Sequence, residues 1–152
     1  MAAGAFQIYN LAKKRIGNGQ INLATGNFRM QIHTSASNCA NVAVGTVQTI
    51  GSITAEVTEA GGYSSSGKPL TGRVWTIGGA ATQYKFDVDD VVWTATGTAM
   101  PNLRYAVIYQ SGASAAARYL LCYAALTTAQ FIVAKGNTVT VTINALGVFT
   151  MS

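Results

Sequence analysis

Thr138-Val139-Thr140-Val141-Thr142-Ile143-Asn144 alternates apolar and polar residues without a break. A strand turns successive side chains to opposite faces, so this period of two predicts a half-buried β-strand. Val139, Val141 and Ile143 face inward and the threonines outward. A helix built from the same residues would scatter the apolar ones around its circumference, and every apolar residue here is β-branched, which favours extended backbone.

Working outward, the same signature recurs at short intervals. Residues 73–77, 84–88, 91–94, 103–109, 118–124 and 131–133 are each β-branched or aromatic and bounded by turn residues. Towards the N-terminus, residues 20–23 and 28–34 alternate, with Ile21 and Leu23, then Phe28, Met30 and Ile32, on one side, and Thr25-Gly26-Asn27 predicts a hairpin turn. Residues 35–41 are small and polar and predict a loop carrying Cys39. Residues 42–57, which contain Gly45 and Gly51, leave room for one or two kinked strands. Residues 59–69 are turn chemistry throughout. Ile8, Leu11, Ala12 and Ile16 fall at helical spacing and Gly17-Asn18-Gly19 closes the pattern, which predicts a short N-terminal helix.

Many short strands without intervening helices define an all-β chain, a β-sandwich or jelly-roll-like barrel with a short N-terminal helix or arm. A length of 152 residues fits one domain. Residues 1–16 form the arm or helix and residues 17–152 the single β domain. No repeat of 20–50 residues is apparent.

Only 10% of residues are charged, against about a quarter in ordinary soluble domains. Much of the surface is therefore neutral polar or apolar, which suits a protein that works against neighbours. The formal charge of +5 comes from ten Lys and Arg against five Asp and Glu. Only Lys13-Lys14-Arg15 clusters, so the charge does not make a nucleic-acid footprint. The longest apolar runs, such as residues 119–126, fall far short of the roughly 20 residues that span a bilayer. The N-terminal residues do not resemble a signal peptide, and synthesis and folding in the cytoplasm are expected.

Each chemical candidate also has a plainer structural reading. Gly62-Tyr63-Ser64-Ser65-Ser66-Gly67-Lys68-Pro69 matches a phosphate-binding loop except at its last position, where Pro69 offers neither hydroxyl nor N–H, and a plain surface loop is expected. His33, the one histidine, lacks a nucleophile-elbow partner and is expected as a solvated strand residue. Cys39 and Cys122 are too few and too distant for a disulfide framework or zinc site, and Cys122 belongs in the core. Asp87, Asp89 and Asp90, with Glu56 or Glu59, could ligate Ca²⁺ through oxygen, but the spacing is not that of a calcium loop and a capped turn is expected. Trp75 and Trp93 could stack on sugar in a carbohydrate-binding module, although the alternation turns both inward. The other aromatics, Tyr63, Tyr84, Tyr105, Tyr109, Tyr119 and Tyr123, belong to the core or to an interface. No catalytic residue, cofactor or metal is expected, and no enzyme.

Residues 6–14 (Phe6-Gln7-Ile8-Tyr9-Asn10-Leu11-Ala12-Lys13-Lys14), 19–23, 59–70, 86–93 and 104–109 resemble, in that order, small virion proteins encoded by tailed bacteriophages. The likeness covers most of residues 6–110 and is weaker beyond. It implies a structural role in the virion, most specifically as a capsid cement, or decoration, protein: a dimer or trimer on the shell surface, bridging subunits of the major capsid protein, with no direct contact to nucleic acid or membrane. A tail, baseplate or fibre component is the alternative within the same resemblance. Residues 1–16 would then be an arm reaching a neighbour, and Phe6, Tyr9, Lys13, Lys14, Arg15, Tyr63 and Lys68 are the expected contact residues.

Overall fold

Thr138–Val141 forms the strand its alternation requires: Val139 and Val141 are buried opposite Trp93 and Val91 of the neighbouring Val91–Thr94 strand. The computed structural model describes residues 4–43 and 48–152. In chain order the strands are β1 (Gln7–Ile8), β2 (Phe28–His33), β3 (Lys68–Pro69), β4 (Val74–Ile77), β5 (Tyr84–Asp87), β6 (Val91–Thr94), β7 (Met100–Leu103), β8 (Tyr105–Gln110), β9 (Leu120–Ala125), β10 (Phe131–Val133), β11 (Thr138–Val141) and β12 (Phe149–Met151). One helix, α1 (Asn10–Gly17), lies near the N-terminus.

All pairings are antiparallel. A five-stranded sheet runs β1-β9-β8-β2-β3, a three-stranded sheet runs β12-β5-β4, and β10-β7 and β11-β6 form two-stranded sheets. The fold is all-β and sandwich-like. Phe28 on β2 meets Phe86 on β5 edge to face at 5.0 Å, and Phe86 stacks on Phe149 of β12 at 5.5 Å. This ring ladder joins the two larger sheets, and aromatic pairs in such geometries add about 1 kcal/mol beyond the area they bury.

The central strands β8, β9 and β2 are buried on both faces, not one. On the face away from the aromatic ladder, Tyr9 packs on Tyr123 at 5.7 Å and donates its hydroxyl to Cys39 O at 2.6 Å, while Ala12 of α1 is fully covered. The N-terminal segment is thus built into the domain from Gly4 onward, with Gly4 N–H bonded to Ala125 O and β1 paired to β9, which corrects the free arm expected there. Residues 1–3 of that arm lie outside the described residues. Ile8 belongs to β1 and not to the helix.

Three other expectations change. Residues 20–23 bury Ile21 and Leu23 but form no strand. The described part of residues 42–57 holds a 3₁₀ turn at Ile50–Ser52 and isolated bridges at Thr49 and Glu56 in place of strands, and Gly45 lies outside the described residues. The single strand expected at 103–109 is two strands in different sheets. Asn102, at φ 63°, turns the chain, and Arg104 carries it across with its N–H on His33 O. Such sheet-switching corners are common in sandwiches.

Candidate interaction surface

The structure divides the expected contact residues into three groups. Tyr9 and Tyr63 are 1% and 4% exposed and both hydroxyls are engaged inside the molecule, so neither can meet a partner; their place on the contact surface is corrected. Arg15 stands over the Tyr119 ring at 4.1 Å and donates to Gln48 O, which makes it a brace between α1 and its neighbours. Lys68 is exposed but donates to Val92 O at 2.6 Å, with its ammonium 5.9 Å from the Trp93 ring. Only Phe6, Lys13 and Lys14 remain unengaged at the surface. Phe6 and Lys13 share an open cleft of about 450 Å³ with Ile8, Leu146, Val148 and Phe149, between the β1 and β12 sides of the two larger sheets.

The loop that imitates a phosphate site is filled by the chain's own groups. Glu56 accepts from Ser66 N–H at 2.8 Å and from the Tyr63 hydroxyl at 2.7 Å, and Glu59 accepts from Ser65 N–H at 2.7 Å. Two N–H groups that would cradle a phosphate are thus spent on carboxylates. Burial raises the Glu56 carboxyl, with the Tyr63 and Ser66 bonds pulling it back. Arg29 binds the Ser66 and Gly67 carbonyls at 2.9 and 2.7 Å, and the Tyr109 hydroxyl also reaches Ser66 O. Gly67 is required: its φ is 63°, and a Cβ there would collide with the Met30 carbonyl. The end of the loop, Lys68–Pro69, pairs with β2 as a short edge strand.

His33 is buried at 1% exposure, which overturns the solvated histidine expected from alternation. Both faces of β2 are covered, so alternation no longer separates inside from outside. Burial lowers its pKa to about 4, with weaker opposition from backbone hydrogen bonds. The ring is therefore neutral near pH 7. A neutral ring has one N–H, and Thr54 O, 3.1 Å from Nδ1, can only accept; Nδ1 carries the proton and Nε2 faces the Gln31 side-chain amide at 3.1 Å. This pair anchors the chain around Thr54 to the sheet.

The acidic residues are dispersed among structural tasks. Asp87 pairs with Lys85 at 2.8 Å and Asp90 accepts from Ile143 N–H at 2.8 Å. Among the described residues no three His, Cys, Asp or Glu side chains gather as a metal-binding group. Cys39 and Cys122 are both free and buried, and burial raises both thiols. Among the described residues no helix is long and apolar enough to cross a membrane.

What the surface offers instead is exposed hydrocarbon. Val74, Ile77, Tyr84 and Leu146, at 47–59% exposure, belong to β4, β5 and the turn before β12, while Val92 and Ile132 stand elsewhere. Leu146 both lines the cleft and approaches Gly79 in the β4–β5 turn. This concentration had no single-segment signal, because it is assembled from residues 74–84 and 146. Compared with protein-family models, curated proteins and solved structures, the chain finds no match.

Proposed function

We propose that this protein is a structural component of a tailed-phage virion, a capsid cement protein that lies on the shell as a homo-oligomer and ties major capsid protein subunits together. The observation that carries the reading is the surface itself: a charge-poor sandwich whose exposed large apolar residues gather at one end. The ordered likeness of residues 6–110 to small virion proteins supports it. Many copies, each making a modest contact, stabilise a shell collectively. The cleft holding Phe6 and Lys13 and the adjoining Ile77, Tyr84 and Leu146 are the contact surface in this reading.

The test is binding of the purified protein to shells that lack it, alongside tails. Saturable binding to shells with raised resistance to heat is the expected result. Binding to tails alone refutes the cement role in favour of a tail or fibre role. A carbohydrate-binding role now has one aromatic platform to rest on, the half-buried Trp75 stacked on Tyr84 at 5.6 Å, since Trp93 is buried at 1% exposure. Glycan binding abolished by Trp75→Ala in a folded protein would favour that reading.

A further inference from the structure

The three-stranded sheet ends on β4, and the backbone of that strand has an open side. Gly78 N–H donates to Gln83 O at 2.7 Å, and the register runs on through Ile77↔Tyr84, Thr76↔Lys85 and Trp75↔Phe86. Hydrogen-bonded pairs alternate in an antiparallel ladder. Gly78 therefore sets Thr76 and Val74 as the residues bonded to β5. The N–H and C=O groups of Trp75 and Ile77 point away from the sheet.

Exposed edges invite pairing, and proteins guard them with charge, proline, bulges or covering chain. The five-stranded sheet ends on Lys68–Pro69, which combines a charge with a missing N–H, and β7 carries Pro101. The β4 sequence Val74-Trp75-Thr76-Ile77 has no charge and no proline, and its register with β5 is unbroken. The turn beyond it, Gly78-Gly79-Ala80-Ala81-Thr82, puts no bulky side chain in the way. Ile77 and Tyr84 stand side by side on one face, 56% and 48% exposed, next to the Trp75 ring.

We infer that β4 is a self-association edge on which two copies of this chain pair antiparallel about a two-fold axis at Thr76, joining their three-stranded sheets into one six-stranded sheet. The occupant is a second copy for two reasons. With Thr76 on the axis, Trp75 of one copy lies opposite Ile77 of the other, so the outward-facing backbone groups meet their own kind in register and a closed pair results. The patch also carries no unpaired charge, because Lys85 beside it is neutralised by Asp87 at 2.8 Å. An acidic or basic partner finds no complement there, whereas an identical neutral patch does. The inference supplies the interface for the homo-oligomer named in the proposed function and rests on that part of it alone.

Sedimentation of the full chain tests it, with amide hydrogen exchange on the same samples. The expected results are a dimer mass, a monomer mass for Ile77→Lys with unchanged circular dichroism, and a dimer for the control Val92→Lys, whose site lies on β6. Amides of Trp75 and Ile77 exchange more slowly in the wild-type dimer and speed up on dilution, a readout that needs no variant to fold. A monomeric or trimeric wild type, a dimer that survives Ile77→Lys, or edge amides indifferent to dilution would overturn the interface. A dimer that ignores purified shells refutes the cement role and leaves the interface standing; a monomer that binds shells does the reverse.

Discussion

His33 makes the stability of this fold depend on pH in a window set by its own burial. The ring titrates near 6.5 in an unfolded chain and at about 4 in the folded one, because burial opposes the charge. Between those values the unfolded state holds a proton that the folded state does not. Stability is therefore fully present above about pH 6.5 and drains away as the pH falls towards 4, and the loss is about 2 kcal/mol on going from neutral pH to about pH 5. Glu56 acts in the opposite sense: its folded pKa is raised, chiefly by burial, so its unfavourable contribution at neutral pH is relieved on acidification. The comparison that isolates His33 is wild type against His33→Gln, which removes the titration and keeps a donor for Thr54 O. Urea unfolding followed by tryptophan fluorescence would give the two stabilities at each pH. The wild-type advantage should shrink by about 2 kcal/mol at about pH 5, close to 1 M in urea midpoint for a slope of about 2 kcal/mol/M. An advantage that stays constant with pH would show that the ring is protonated, or exposed, in the folded protein.

Other outcomes follow from the loop and the core. Glu56→Ala leaves Ser66 N–H and the Tyr63 hydroxyl without their acceptor and should cost about 2 kcal/mol in urea unfolding, more than Glu59→Ala at its exposed position. Gly67→Ala should cost more than about 3 kcal/mol, through left-handed strain together with collision against the Met30 carbonyl; Gly136→Ala, at φ 88° with open space around it, should cost only the strain, about 1 kcal/mol. Thermal melts of the two variants side by side would separate these effects, and equal losses would contradict the packing. Cys39 and Cys122 should resist thiol reagents in the native protein and react at the rate of unfolding, since both are buried with raised thiols; rapid native labelling of either would contradict its placement.

Local pattern carried most of the strand positions because one face of those strands is wet. Val91–Thr94 and Thr138–Val141 alternate between core and solvent, and period-two reading placed both. The same reading misjudged His33 because β2 is covered on both sides: residues 49–57 and the N-terminal segment lie over a face that an isolated strand would leave to water. Burial on both faces is a property of the assembled layers, so no window of sequence contains it. The break at Arg104 was equally invisible, since Leu103 and Tyr105 are good strand residues and only their pairing with different partners separates them.

The interaction surface was less legible for a related reason. Residue type pointed to Tyr9 and Tyr63 as anchors, because tyrosine suits interfaces, but the same amphipathic ring suits a core that offers a buried acceptor, and here Cys39 O and Glu56 supply one each. The edge at Trp75 and Ile77 depends instead on which backbone groups face outward, and that is decided by the register with β5 through Gly78 and Gln83. A one-residue slip in that hairpin would turn Thr76 outward and pull Ile77 into the ladder. The six-residue turn between Ile77 and Tyr84 thus sets the register and, with it, the edge proposed for pairing. Lengthening that turn by one residue is accordingly a sharper probe of the interface than deleting a side chain: it alters the outward hydrogen-bonding pattern while leaving the composition of the patch unchanged.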